Sequence, residues 1–205
     1  MKNTIKEAIQ AGMTYAEYML MFKQLATQDG TTGEPTAERI QFTKLNFSRS
    51  KRLDKTIFLT EIQAKRLKET VQPQTWLVLT ETWCGDAAQT LPFLNRVAET
   101  APDIELRILL RDQHPELMDA FLTNGARAIP KLIVLDENLD VLADWGPRSE
   151  AATQLVLQYK AQHGTLDAAF KESLQVWYNK DRGQSILKEL IKMVTLLDAK
   201  KVKIS

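Results

Sequence analysis

Cysteine and histidine are scarce in this sequence. Its 205 residues include one cysteine and two histidines. A single cysteine excludes any disulfide within the chain and is typical of a protein from a reducing compartment. No second thiol and no histidine pair has the spacing of metal ligands, so we expect neither a metal site nor a cofactor.

The sequence also lacks an excess of one sign of charge and long apolar runs. The 27 basic and 26 acidic side chains give a net charge of +1, which argues against a polyanionic partner such as nucleic acid. No apolar run is long enough to span a membrane, and no apolar segment follows the early charges of residues 1–7 as in a signal peptide. The expectation is therefore a cytoplasmic protein that binds neither nucleic acid nor membranes.

One local basic cluster interrupts this balance. It lies in and just after a helix predicted over residues 36–53, and it could contact RNA or an acidic partner. We favour a solvated helix face, because no aromatic stacking pattern accompanies the charges. The members of the cluster are Lys44, Arg49, Lys51, Arg52 and Lys55.

The most informative stretch of the sequence is residues 75–92. Its apolar run at residues 76–79 predicts a buried strand, and the apolar residues from Ala87 to Leu94 predict a helix. Cys84 therefore lies where a strand turns into a helix. The free N–H groups and partial positive charge of a helix start stabilise a thiolate, and Gly85 leaves room beside the sulfur. The alternative is an inert, buried cysteine.

Several segments carry a resemblance to a known family. Residues 83–87, W-C-G-D-A, resemble the W-C-G-x-C turn of thioredoxins, and Pro92 falls where that family has a helix-kinking proline. Residues 124–132 resemble its cis-proline segment, and Trp145-Gly146 resembles its strand-end glycine. The resemblance covers residues 72–162. The W-C-G-D-A form is similar to a single-cysteine subgroup of bacterial thioredoxin-family proteins.

This resemblance implies an α/β fold: a thioredoxin-like mixed sheet flanked by helices. It also implies a cis peptide bond before Pro130 and a groove that grips an extended peptide between the W-C-G turn and the proline loop. Cys84 would be the catalytic residue. The substrate or partner would contact Trp83, Gly85, Asp86, Ala87, Ile129 and Pro130.

The sequence departs from the family at three functional positions. Ala87 replaces the resolving cysteine, Val78 replaces a buried acid on the preceding strand, and Lys131 replaces the threonine after the proline. A cycle of attack followed by internal resolution is therefore excluded.

Charges near the sulfur oppose one another in this interpretation. The helix start lowers the pKa of Cys84, whereas Glu81 and Asp86 raise it, and Arg127 or Lys131 could approach and offset these acids. We therefore expect a modestly acidic thiol. Neither His114 nor His163 lies near it in sequence, and a structural or solvent-facing role suits both better than that of a catalytic base.

Helices are predicted on both sides of the thioredoxin-like segment. Residues 1–71 form an N-terminal helical extension, residues 72–162 the thioredoxin-like domain, and residues 163–205 a C-terminal helical hairpin ending in Lys200, Lys201 and Lys203. The apolar stripes of this hairpin need a cover, which the domain, the N-terminal helices or a second copy of the protein could provide.

Two functions remain open on the sequence. The first is a monothiol redox protein whose Cys84 attacks a disulfide or peroxide and is regenerated by glutathione or another external thiol. The second is a non-catalytic thioredoxin-fold module that binds a peptide or protein partner. Whether the protein is an enzyme is left open at this point, and its partners are expected to be proteins or small thiols.

Overall fold

A computed structural model of the chain describes residues 1–70 and 72–202; Val71 and residues 203–205, including the predicted terminal Lys203, lie outside this description. The N-terminal helices are α1 Lys2–Ala11, α2 Tyr15–Thr27, α3 Ala37–Thr56 and α4 Glu61–Lys68. The central part consists of β1 Gln74–Thr80, α5 Gly85–Thr100, β2 Ile104–Leu110, α6 Pro115–Ala120, β3 Lys131–Leu135, β4 Val141–Trp145 and α7 Glu150–His163. The C-terminal helices are α8 Ala168–Asp181 and α9 Gln184–Val202.

The four strands form one mixed sheet in the order β2-β1-β3-β4. β1 runs parallel to β2, with Gln74 opposite Ile104, and antiparallel to β3, with Leu77 opposite Ile133. Residues 76–79 of β1 are all fully buried, which explains their continuous apolar run: helices cover both faces of the sheet. The predicted mixed sheet with helices at both ends is confirmed.

Local signals mark the starts of α2 and α4. The Thr14 hydroxyl accepts from the N–H of Glu17 while the Glu17 carboxylate accepts from the N–H of Thr14, and Thr60 and Gln63 form the same reciprocal pair. Both capping boxes are readable in the sequence because each depends only on residues three apart.

The β3–β4 hairpin differs from the prediction. The second strand begins at Val141, two residues later than the predicted strand at 139–143. Asp136 is the cause, because its carboxylate accepts from the N–H groups of Asn138 and Asp140 and prolongs the turn. Leu139 in this turn adopts a φ of 62°.

The predicted start of α8 was also wrong. The expected cap, Thr165, does not begin the helix; Asp167 caps it by accepting from the N–H of Phe170 at 2.7 Å. Aspartate and threonine are both good caps, so the choice between them depends on how the chain leaves α7.

Both terminal extensions pack on the central sheet unit. Met13 exchanges two backbone hydrogen bonds with Ile108 and so covers the edge of β2. The apolar stripe of α9 lies against α4 and α5, and its buried residues include Ile186, Leu187, Leu190, Ile191 and Val194. The hairpin therefore finds its cover within the chain, and a second copy is not required. None of the helices in residues 1–70 and 72–202 carries an apolar stretch of sufficient length to cross a bilayer.

Candidate functional site

Cys84 occupies the cap position at the start of α5. Its backbone has a φ of −79° and a ψ of 114°, and its carbonyl accepts the first helical hydrogen bond, from the N–H of Ala88 at 3.1 Å. The backbone N–H groups of Asp86 and Ala87 favour the thiolate and so lower the pKa of Cys84, although the thiol makes no capping hydrogen bond of regular geometry with them. The predicted placement of the sulfur, between a central strand and a long helix, is found in the structure.

The proline loop lies directly opposite the sulfur. The Cys84 thiol donates to the carbonyl of Ile129 at 3.3 Å, and the Ile129–Pro130 peptide bond is cis. Gly146, the residue after β4, packs directly against the backbone of Pro130. A Cβ there would lie 2.2 Å from the Pro130 carbonyl oxygen, so only glycine fits. Residues 45 positions apart thus form one site.

Burial decides the acidity of the thiol. Cys84 is only 8% exposed, and burial together with the Asp86 carboxylate raises its pKa from 9.0 to about 12. The N–H groups of Ala87 and Asp86 and the charge of Arg148 lower the pKa, but less than burial raises it. The expectation of a modestly acidic thiol is therefore wrong, because the sequence does not reveal how completely the sulfur is enclosed.

Two distant residues hold Asp86 in place. Its carboxylate pairs with Arg148 at 2.5 Å and accepts from the Tyr178 hydroxyl at 2.8 Å. The Tyr178 side chain, on α8, is buried. Sequence reasoning missed both partners, since neither Arg148 nor Tyr178 carries a local signal that links it to residue 86.

The charged residues proposed to tune the thiol lie elsewhere. Arg127 pairs with Asp119 at 2.6 Å, and the buried Lys131 pairs with Asp144 at 2.5 Å. The cation that acts on the pKa of Cys84 is Arg148 instead. Glu81 turns away to accept from the backbone N–H of Asp112 at 2.9 Å, and burial raises its own pKa.

Two guanidinium groups lie against the Trp83 ring. The Arg39 and Arg111 side chains stand 4.8 and 5.2 Å from its ring centroid. This is cation–π geometry, and it fixes the indole beside the sulfur. The hydroxyl of Thr32, in the loop before α3, accepts from the N–H of Thr82 and also bonds to the Thr82 hydroxyl. These bonds hold Thr82, the residue before Trp83, in place.

Helices α3 and α8 border the other side of the turn. On Gly85, a Cβ would lie 3.2 Å from the amide nitrogen of Gln175 and 3.8 Å from a nitrogen of Arg49. Gln175 also accepts from the Gln89 side chain at 3.0 Å. The C-terminal hairpin therefore contacts the candidate site as well as the back of the domain.

Four of the five basic side chains of the α3 cluster are exposed, as predicted for a solvated helix face. Lys44 pairs with Asp29, Arg52 donates to Asn179 at 2.7 Å, and Arg49 is half-buried.

In the part of the chain that the structure describes, no three His, Cys, Asp or Glu side chains converge as a metal site would require. His163 stacks on the ring of Tyr159, so this histidine makes a packing contact.

Comparison with known proteins identifies the family of this chain. Residues 33–164 match a family model described as Thioredoxin, which is more than half of the chain. The chain belongs to the thioredoxin family. The match begins about 40 residues before the segment that resembles thioredoxin in sequence and so includes α3 and α4.

A curated relative supports this assignment over part of the chain. A Streptomyces coelicolor protein named "Putative thioredoxin 2" is 36% identical over 70 residues, which are 34% of this chain and 50% of that protein. The chain thus matches about half the length of this thioredoxin relative.

Two solved structures share the fold. A protein of unknown function from Pseudomonas aeruginosa superposes with a TM-score of 0.61 at 18% identity, covering 92% of this chain and 95% of the other. An HIV epitope scaffold gives a TM-score of 0.55 at 19% identity, covering 89% and 98%. At these identities the likeness extends to the fold, including the helices outside the family match.

Proposed function

We propose that this protein is a thiol–disulfide exchange protein that works with one cysteine, Cys84. The observation that carries the proposal is the thiol at the start of α5, 3.3 Å from the Ile129 carbonyl. The thioredoxin family and the relative named as a thioredoxin support it. Trp83, Gly85, Asp86, Ala87, Ile129 and Pro130 form the walls around the sulfur in this proposal.

The proposed reaction needs two external molecules. The Cys84 thiolate attacks one sulfur of a disulfide, a new sulfur–sulfur bond forms, and the second sulfur leaves as a thiolate that takes up a proton. An external thiol then attacks the mixed disulfide, forms a disulfide with the bound half, and returns Cys84 to its thiol state. The chain has no second cysteine to perform this step.

The resting protein restrains this chemistry. With a pKa of about 12, the thiol is almost wholly protonated at neutral pH. The attacking species is the thiolate, so we expect exchange to be slow compared with that of a thiol of ordinary acidity. We further propose a cytoplasmic location, where external thiols are available, and substrates that are proteins or small thiols.

A mixed-disulfide assay tests the proposal. The folded protein, incubated with a small symmetrical disulfide, should gain one half of that disulfide by intact-mass analysis and lose it when a free thiol is added. Cys84→Ser should gain nothing. The urea-unfolded chain serves as the positive control, because its thiol is open to any reagent.

An adduct that forms only in urea would show an inert, structural cysteine and would end the proposal. If Cys84→Ser also kept the binding of an extended peptide, the non-catalytic binding module would be the better description.

A further inference from the structure

Two arginines without a carboxylate partner flank the Cys84 turn in the described part of the chain. Arg39 stands 4.8 Å over the ring of Trp83, the residue before Cys84. Arg49 reaches to 3.8 Å from the Cβ position of Gly85, the residue after it. Both project from α3, and both are half-buried and so still in contact with solvent.

Their polar contacts are with neutral groups. Arg39 donates to the carbonyl of Glu34 at 3.4 Å, and Arg49 donates to the side-chain carbonyl of Asn46 at 2.9 Å. Neither contact compensates a positive charge. A guanidinium group that lacks a carboxylate offers a planar set of donors suited to bind one.

The other arginines around the site are already neutralised. Each has a carboxylate within ion-pair distance, which Arg39 and Arg49 lack; the Asp112 carboxylate lies near Arg39 without pairing with it, since a Cβ on Gly33 would be 2.8 Å from that carboxylate and 3.2 Å from the Arg39 guanidinium. The three pairs are Arg148 with Asp86 at 2.5 Å, Arg111 with Asp112 at 2.8 Å and Arg127 with Asp119 at 2.6 Å.

Space beside the sulfur limits the size of what can react. Cys84 is 8% exposed, and Gln175 of α8 crowds the Gly85 side. A bulky surface would have to displace this helix, whereas a small molecule needs only a narrow approach. The site therefore favours a small substrate over a folded protein.

We propose that Cys84 exchanges with small anionic disulfides, and that Arg39 and Arg49 bind their carboxylates. This inference rests on the proposed function and names its substrate class. The exchange follows the same balanced steps: one half of the disulfide is transferred to Cys84, the other leaves as a thiol, and an external thiol regenerates the protein.

The test compares the reactions of three small disulfides with the protein at one mildly alkaline pH, about 8, which lies below the pKa of alkyl ammonium groups. Oxidised glutathione carries a net negative charge, cystamine is cationic, and bis(2-hydroxyethyl) disulfide is neutral. Arg39→Gln and Arg49→Gln should each lower the rate with oxidised glutathione about threefold, as expected for the loss of one charge a few ångströms from a carboxylate in water. The ratio of this rate to the rate with the neutral disulfide should fall by the same factor, and the ratio corrects for any movement of Trp83 that the loss of Arg39 causes.

Arg96→Gln is the matched control. It also removes one positive charge from the chain, but Arg96 lies twelve residues further along α5, about 18 Å along the helix axis, and is paired with Glu99. Each disulfide is compared only with itself across variants, so differences between leaving groups cancel. Circular dichroism checks that each variant is folded.

Salt dependence gives a second readout that needs no variant. Added salt should slow the reaction of the wild-type protein with oxidised glutathione and speed the reaction with cystamine. The substrate assignment would be overturned, and the exchange function left intact, if Arg96→Gln changed the rate with oxidised glutathione as much as the two α3 variants do. It would also be overturned if added salt changed the rates with oxidised glutathione and cystamine in the same direction. Failure of all three disulfides to react would overturn the proposed function and this inference together.

Discussion

At the scale of single residues, the chemistry of Cys84 results from a competition between burial and local polarity. The helix start supplies N–H groups that favour the thiolate, as the position of the cysteine in the sequence suggests. Burial opposes them more strongly, and Asp86 adds a negative charge from the first turn of α5. The result is a thiol that the fold keeps protonated.

The contribution of Asp86 can be measured directly. Asp86→Asn should lower the pKa of Cys84 and speed its alkylation at a given pH, because the substitution removes a negative charge and frees Arg148 to act on the sulfur. The measurement is the iodoacetamide rate as a function of pH. In the wild-type protein, the midpoint should lie above the ordinary value of 9.0.

Asp140→Asn is the control, since Asp140 is an exposed acid paired with Lys2 at the β3–β4 turn. It should leave the midpoint unchanged. A wild-type midpoint at or below 9 would contradict the dominance of burial.

At the scale of the elements, the contact between the C-terminal hairpin and α5 is close-packed. Gly183, between α8 and α9, has a φ of 72°, and a Cβ at that position would lie 1.9 Å from the Phe93 ring. Tyr178 and Gln175 add polar contacts to α5 from the same hairpin. The hairpin thus shares the core of the domain.

Gly183→Ala should lower the free energy of unfolding by about 2–4 kcal/mol, since overpacking a core costs about 1–3 kcal/mol and a left-handed alanine about 1 more. Gly125→Ala is the matched variant. Its φ is 76°, but nothing lies within 4 Å of the added Cβ, so only about 1 kcal/mol is expected. Urea unfolding measures the free energy of unfolding of both variants. Equal losses would show that the Phe93 ring moves aside without destabilising the protein.

At the scale of the whole molecule, the buried ionisable side chains link stability to pH. Burial raises the pKa of Cys84, and the pKa values of Tyr15, Tyr18 and Tyr178 are raised in the same way. A group with a raised pKa in the folded state holds its proton while the unfolded chain loses it. Its contribution to stability is complete below the unfolded pKa and declines as the pH rises above that value.

The free energy of unfolding should therefore fall as the pH rises above about 9 to 10, the ordinary pKa values of cysteine and tyrosine. Each group adds a slope of about 1.4 kcal/mol per pH unit once the unfolded side chain has ionised. Cys84→Ser should make the decline shallower by about one such slope. Urea titrations at a series of pH values measure it, and a flat alkaline profile would contradict the burial of these groups.

Local patterns in the sequence determined the elements and the position of the sulfur. The apolar run of β1, the capping boxes at Thr14 and Thr60, and the glycine breaks depend on neighbouring residues, so they can be read along the chain. The same holds for Cys84 at the start of α5, because a strand followed by a helical pattern leaves no other place for it.

The tertiary structure alone decided the environment of the sulfur. Arg148 and Tyr178 reach Asp86 from 62 and 92 positions away, and α3 and α8 meet at Gly85 although no pattern in either helix indicates it. Burial of Cys84 likewise depends on how all these elements close around it. The acidity of a thiol is a property of that enclosure, whereas the sequence specifies only the local charges and dipoles, and this is why the predicted direction of the pKa shift was wrong.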